Sequence, residues 1–92
     1  MSTTKIRRRN RLRQVYGRTM SRPLSPSQRY ALDLWAYRHR LIKQAELLAC
    51  FNRAIAAGAT DAQLVQTVSI EDRRLSLDQV LRAVSEEVDH AR

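Results

Sequence analysis

The sequence predicts a mainly α-helical fold, in which a basic arm precedes a small helical body. Only two glycines and two prolines occur in 92 residues, and the abundance of Ala, Leu, Arg and Gln favours helix. Three capping boxes, each a Ser or Thr followed three residues later by Gln, mark the starts of helices. The length suits one domain, which we divide into an arm, residues 1–24, and a body, residues 25–92.

The first predicted helix is long. Ser25 and Gln28 form its capping box, with a proline at the first helical position. Apolar residues then recur at intervals of three, four or seven, and Gly58 is a natural stop. Without interruption such a helix would measure about 48 Å, whereas a compact domain of this size is about 30 Å across. We therefore expect a break or bend, near Asn52.

Two shorter helices are predicted after it. Thr60 and Ser76 are the N-caps of the other two capping boxes. The first of these helices is expected over residues 61–68, and the second, an amphipathic helix, over residues 77–90. The polar segment 69–74 between them suits either a loop or the turn of a short hairpin.

The arm holds the whole net charge of the chain. Residues 1–24 carry eight basic and no acidic side chains, whereas residues 25–92 carry nine of each, so the net charge of +8 lies in the arm. In an extended strand the alternate arginines from Arg7 to Arg13 would line one face about 6.6 Å apart, close to the phosphate spacing of a nucleic acid. A helix would instead scatter them around its cylinder. The arm therefore suits a strand or small hairpin, which leaves an α+β fold as the alternative.

This charge predicts a polyanionic partner. Guanidinium groups bind phosphates in bidentate fashion and lose hydration more readily than ammonium groups, and arginine-rich segments fold on RNA. The alternative is a solvated tail without a partner, although so many like charges are unfavourable without a polyanion. The predicted nucleic-acid-binding residues are Lys5, Arg7, Arg8, Arg9, Arg11, Arg13, Arg18, Arg22 and Arg29.

The first helix is also the predicted surface for a protein partner. Aromatic and basic side chains follow one another along it, and the aromatic rings are alternatively core residues or stacking platforms for bases. The predicted protein-contact residues are Tyr30, Trp35, Tyr37, Arg38 and Arg40.

Catalysis and cofactor binding have little support in the sequence. His39 and His90 lie far apart and form no metal-ligand pattern with Cys50, and the acidic pairs at 71–72 and 86–87 are interpreted as solvated faces. A single cysteine fits a reducing compartment, and no apolar run approaches the roughly 18 residues that cross a membrane. We predict a cytoplasmic, non-enzymatic protein without metal, cofactor, small-molecule substrate or membrane partner. A mitochondrial transit peptide is the alternative interpretation of the start of the chain.

The run Lys5–Arg13 (KIRRRNRLR), joined to a neutral helical body in a chain of this length, resembles the small phage-encoded anti-CRISPR proteins. Such proteins bind RNA-guided surveillance complexes, commonly between subunits and near the guide RNA. Many of them are acidic DNA mimics, a pattern from which this basic chain departs. The resemblance implies an inhibitor in the host cytoplasm whose partners are the guide RNA and protein subunits of a ribonucleoprotein complex.

Two other functions stay open at this stage. A DNA-binding regulator or plasmid accessory protein, dimeric through the long helix, would also carry a basic arm. The segment 61–68 that would be its DNA-reading helix has no basic residue, however. A protein-interaction accessory factor, for example of the ribosome or of secretion, is the second alternative, and its binding would survive high salt.

Overall fold

The computed structural model describes residues 3–17 and 23–88, and within them it is helical without any strand. The helices are α1 (Thr3–Tyr16), α2 (Pro26–Arg38), α3 (Gln44–Ala56), α4 (Asp61–Glu71) and α5 (Leu77–Ala83). A single π-helical turn, Val84–Val88, continues α5. The predicted mainly α fold is confirmed.

Helix α2 is the centre of the body, and it contacts every other helical segment. Eight of its 13 residues are buried, including Ala31, Leu32 and Ala36, each at most 1% exposed. Three apolar clusters meet on it: one toward α1 and α5, one toward α3 and α4, and one toward α4, α5 and the π turn. Burial on nearly all sides explains why α2 shows a broad rather than a narrow apolar stripe.

The three predicted capping boxes all form. At the start of α2 the Ser25 hydroxyl accepts from the Gln28 backbone N–H at 3.1 Å, and the Ser25 N–H donates to Gln28 Oε1 at 3.0 Å. Thr60 and Ser76 make the same reciprocal pairs. The buried Gln28 side chain also donates from Nε2 to the Leu81 carbonyl at 3.0 Å. One amide therefore caps α2 and ties it to α5.

The first predicted helix is broken, as expected, but the break lies at residues 39–43 and divides it into α2 and α3, so the predicted position near Asn52 is wrong. The Leu41 N–H donates to the Ala36 carbonyl at 2.8 Å and the Arg40 N–H to the Tyr37 carbonyl at 3.0 Å, with Arg40 at φ 58°. This is the Schellman arrangement that ends a helix. Its left-handed residue is usually glycine, so an arginine there gave no signal in the sequence.

Gly58 ends α3 in the same way, at φ 107°. Its N–H donates to the Ile55 carbonyl and the Ala59 N–H to the Ala54 carbonyl, both at 3.0 Å. The two helix ends thus share one hydrogen-bond pattern and differ in the residue that takes the left-handed conformation.

The left-handed residues Arg40 and Gly58 lead to a prediction about stability. We expect Arg40→Gly to raise the free energy of unfolding by up to about 1 kcal/mol, because the left-handed conformation disfavours a residue with a Cβ, while Gly58→Ala lowers it by about 1 kcal/mol. Urea unfolding followed by circular dichroism measures both changes. A destabilised Arg40→Gly variant with an unchanged urea dependence would contradict the assigned conformation of Arg40.

The later elements also differ from prediction. Helix α4 runs to Glu71 rather than to residue 68, since Ile70 and Glu71 are buried and extend its inward face. The hairpin alternative for residues 69–74 is therefore wrong. The third predicted helix is present to Val88 as α5 and the π turn, and residues 89–92 lie outside the description. The Arg73 guanidinium donates to both carboxylate oxygens of Glu87 at 3.0 Å, which joins the π turn to the end of α4.

Candidate nucleic-acid interface

Helix α1 packs on the body through one side. Val15 is 1% exposed in a cluster with Leu32, Ala36, Leu41, Leu77 and Leu81, and Leu12 is half-buried against it. Beside this contact the Tyr16 hydroxyl donates to Asp33 Oδ1 at 2.6 Å. Burial first, and then this hydrogen bond, raise the pKa of Tyr16, so the phenol stays a donor and holds the end of α1 on α2.

Four arginines of α1 point away from the body. Each residue of an α-helix turns by about 100°, which places Arg9, Arg13, Arg7 and Arg11, in that order, across an outward arc of about 200°. All four side chains are exposed, and Leu12 and Val15 lie on the opposite side. The four arginines thus span just over half of the helix circumference, and all of them lie outside the side that packs through Leu12 and Val15. We call this surface the α1 arginine face.

The arginine face carries no compensating charge of its own. Helix α1 contains no acidic residue, and Arg7–Arg11 and Arg9–Arg13 are like-charged neighbours four residues apart, an arrangement that disfavours a helix. A row of phosphates on this face would remove that repulsion. The face thus favours a polyanion both by its charge and by the stability that binding would give α1.

One edge of the arginine face reaches the end of α2. An Arg11 guanidinium nitrogen lies 3.4 Å from His39 Nδ1, and the His39 ring stacks on Trp35 with centroids 3.7 Å apart. Burial, and then the Arg11 charge, lower the pKa of His39. The neutral imidazole therefore accepts a hydrogen bond from Arg11. The stacked rings of His39 and Trp35 extend the arginine face onto the end of α2.

The other predicted phosphate contacts are distributed as follows. Arg29 is exposed and lines a depression between α1 and α2 together with Leu12 and Tyr16, so it lies beside α1. The side chains of Lys5 and Arg8, and the whole of Arg18 and Arg22, lie outside the described structure. Over Thr3–Tyr16 the arm is helical, and an extended arm on a bound partner stays a prediction.

The prediction that Tyr30 contacts a protein partner is wrong, because this side chain is buried. It is only 6% exposed, and its ring meets that of Phe51 edge to face with centroids 5.8 Å apart. Because Tyr30 belongs to the core between α2, α3 and α4, it offers no exposed ring to a partner. Its spacing along α2 could not distinguish a core position from a surface position on a helix that is buried on nearly all sides.

The other predicted protein-contact residues lie at the end of α2. Tyr37 is 37% exposed and Trp35 is half-buried. The Arg38 guanidinium donates to the Glu71 backbone carbonyl at 3.2 Å and forms an ion pair with Asp72, so this arginine caps α4. Arg40 is exposed, but its main contribution to the fold is the left-handed turn.

A groove of about 780 Å³, which sequence reasoning missed, opens beside the Trp35–His39 stack. We call it the Glu71 groove. It lies between the end of α2 and the loop that joins α4 to α5. The residues that line it are Trp35, Arg38, His39, Glu71, Arg74, Leu75, Ser76 and Leu77.

Glu71 is the unusual group of this groove. The residue is 4% exposed, and within the described structure its Oε2 atom has no hydrogen-bond partner. Burial raises the pKa of this carboxyl to about 7, against the opposing effect of Arg38. The sequence predicts a solvated acidic pair at 71–72, which is correct for the exposed Asp72 and wrong for the buried Glu71.

A second groove, of about 560 Å³, is apolar and lies on α3. Its lining includes Leu47, Leu48 and Phe51, and Leu48 is 61% exposed. Val65 on α4 is 70% exposed. Leu48 and Val65 are the two most exposed large hydrophobic side chains of the described residues.

The described residues contain no group of three or more His, Cys, Asp or Glu side chains placed to hold a metal ion. Within the same residues, no helix is both long enough and apolar enough to cross a membrane.

No protein-family model, no curated protein and no solved structure is significantly similar to this sequence.

Proposed function

We propose that this protein is a non-enzymatic binder of RNA or of a ribonucleoprotein, with the α1 arginine face as its phosphate-contacting surface. The observation that carries the proposal is the outward arc of four exposed arginines on a docked helix without a single acid. A rigid arrangement of guanidinium groups binds phosphates at a smaller entropic loss than a flexible tail does. Arg29 and the Arg11–His39 contact extend the surface onto α2.

The specific form of the proposal is inhibition of a nucleoprotein machine such as a CRISPR surveillance complex. In that form α1 lies on guide-RNA phosphates, and the body contacts a protein subunit through the exposed Tyr37 at the end of α2. The support is the resemblance of the arm and neutral body to anti-CRISPR proteins, together with exposed aromatic surface next to the arginine face.

A second candidate, binding to duplex DNA, is favoured by one feature of the same face. Asn10 and Gln14 are exposed, and the helical rotation places them at the centre of the arginine arc. Asn and Gln side chains pair with adenine in the major groove of DNA, which admits an α-helix, whereas the deep groove of regular duplex RNA does not. Preference for duplex DNA over RNA would select this candidate.

Two charge-matched variants test the proposal. The triple variant R7Q/R9Q/R13Q removes three cations of the arginine face, and K43Q/R53Q/R82Q removes three exposed cations of the body, so each lowers the net charge from +8 to +5. Arg11 is kept because it contacts His39. We expect the arm variant to weaken binding to single-stranded RNA by about 10- to 100-fold at moderate salt and to reduce the slope of log K against log salt by about 2.

The body variant is the control, and we expect it to change the slope by less than about one unit. The measurement is fluorescence anisotropy of labelled RNA and of labelled duplex DNA over a series of salt concentrations. Equal losses in the two variants would show that net charge alone drives binding and would overturn the assignment to α1. Binding to cell components that persists at high salt, without binding to naked nucleic acid, would instead support the protein-interaction alternative.

A further inference from the structure

The Glu71 groove combines three kinds of group that are seldom found together at a protein surface. One wall is the aromatic Trp35, stacked on His39, and the rim carries the guanidinium groups of Arg38 and Arg74. Between them lies the buried Glu71. The volume of about 780 Å³ falls in the range of small-molecule sites.

Glu71 needs hydrogen-bond donors that the body does not give it. A buried carboxylate oxygen without a partner is strongly unfavourable, and none of the described side chains donates to Oε2. Arg38, whose charge opposes the shift of Glu71, is already engaged with the Glu71 backbone carbonyl and with Asp72. Donors for Oε2 therefore have to come from outside the described side chains, and because the atom is itself buried, a ligand in the groove reaches it only if the groove opens around Glu71.

The charge of the rim restricts what that ligand can be. A basic peptide would supply N–H donors but would meet Arg38 and the exposed Arg74, with Arg11 beyond His39. A ligand with an anionic end and a flat, donor-bearing end would satisfy the arginines, the aromatic wall and Glu71 together. Nucleotides have this composition, and unpaired bases are read by stacking and by hydrogen bonds to their Watson–Crick edges.

Among the four common bases, only guanine presents two adjacent donors on that edge, the N1–H and the exocyclic amino group. We infer that the Glu71 groove binds an unpaired guanine nucleotide, with Glu71 accepting from these two donors, the base against the wall formed by the Trp35–His39 stack, and Arg74 beside the phosphate. The inference rests on the proposed function, since an unpaired guanine in an RNA strand held on α1 is the ligand that would reach this groove past Arg11 and His39.

Trp35 makes the groove directly measurable, because it is the only tryptophan of the chain. Tryptophan fluorescence of the full chain is titrated with GMP, AMP, CMP and UMP, with correction for nucleotide absorbance. We expect saturable quenching by GMP, with an affinity at least about tenfold above that for the other three nucleotides, as a bidentate base contact gives. Quenching that does not saturate, or that is equal for all four nucleotides, would overturn the inference.

Three variants identify the groups involved. Glu71→Gln replaces an acceptor by an amide donor that faces the guanine donors, and we expect it to reduce GMP affinity to that for AMP. Glu86→Gln, at an exposed glutamate of the π turn, is the matched control and should bind GMP as the wild type does. Arg74→Gln should weaken all four nucleotides alike, by about threefold to tenfold for one lost phosphate contact.

A polyarginine hexapeptide provides the competing ligand class. Saturable quenching by this peptide and not by GMP would overturn the inference and assign the carboxylate to a basic segment of a protein. GMP selectivity that is unchanged in Glu71→Gln would also overturn it. Urea unfolding of Glu71→Gln, considered below, establishes that the variant is folded.

The tests separate this inference from the proposed function. Salt-dependent RNA binding that is lost in R7Q/R9Q/R13Q, without selective quenching by GMP, would leave the proposed function in place and remove the guanine site. Selective GMP quenching that needs Glu71, together with RNA binding that the arm variant retains in full, would leave the guanine site in place and overturn the assignment of RNA binding to α1.

Discussion

Replacing Val15 by aspartate should release α1 from the body. Val15 is 1% exposed and is the central contact of α1 with the cluster formed by α2 and α5. Its burial stabilises the docked helix by about 1.5–3 kcal/mol, whereas an unpaired buried carboxylate costs several kcal/mol. Because an isolated helix of this length is marginal in water, we expect undocked α1 to unfold.

Circular dichroism and limited trypsin digestion measure this release. The 14 residues of α1 are about a fifth of the helical residues, so about a fifth of the helical ellipticity should be lost. Trypsin should cleave the arginines of α1 rapidly while the body resists. RNA affinity should fall by about threefold to tenfold through lost preorganisation, with little change in the salt slope because the cations remain.

Val65→Asp is the matched control for this experiment. It makes the same substitution at a valine that is 70% exposed on α4, and it changes the net charge equally. We expect it to retain the ellipticity, the trypsin pattern and the RNA affinity of the wild type. A Val15→Asp protein that also retains all three would show that α1 is not held by this contact.

The parts of the fold that the sequence predicted correctly are those that depend on neighbouring residues. Capping boxes need only a hydroxyl and an amide three residues apart, so the helix starts after Ser25, Thr60 and Ser76 were predicted at the right positions. The break after α2 depends instead on burial of Leu41, which is 4% exposed, and on an arginine in the left-handed conformation. No glycine or proline marks that break.

The candidate sites also combine features that neighbouring residues determine with features that depend on distant contacts. The sequence shows that the segment of α1 is rich in arginine. The outward arrangement of these arginines, however, depends on which side of the helix Val15 and Leu12 occupy. The Glu71 groove depends on contacts between residues more than 30 positions apart, such as Arg38 with Glu71 and Asp72. In the sequence Glu71 is one of two adjacent acids, and nothing local distinguishes it from the exposed Asp72.

Glu71 should make the protein less stable as the pH rises. Burial raises the pKa of its carboxyl from 4.5 to about 7 in the folded chain, so between these values the folded state holds a proton that the unfolded chain has lost. The free energy of unfolding therefore falls from about pH 4.5 to about pH 7, by roughly 2–3 kcal/mol for this group. The charges that face it are Arg38, which opposes the shift, and Asp72, which adds to it.

Glu71→Gln removes this titration. We expect the variant to be more stable than the wild type by about 1–2 kcal/mol near pH 8, because an amide cannot ionise, although one of its polar atoms still lacks a partner. Near pH 4 the two proteins should be nearly equal, since the wild-type carboxyl is then protonated. Urea unfolding across this pH range gives the difference directly, and changes at other groups such as His39 cancel in it.

Glu86→Gln, at an exposed glutamate of the π turn, is the matched control for this measurement. An equal gain at all pH values in Glu71→Gln would mean that the pKa of Glu71 is the same in the folded and the unfolded chain, because only a difference in bound protons makes stability depend on pH. The expected pH dependence of the stability of Glu71→Gln also bears on the function of the Glu71 groove. A group that destabilises the free protein at neutral pH, where a glutamine would be more stable, is typical of a site kept for its ligand. Guanine donors satisfy only the ionised carboxylate, so from about pH 6 to about pH 8 the GMP affinity of the wild type should rise more than that of Glu71→Gln, in which the GMP phosphate, with a second pKa of about 6, still titrates.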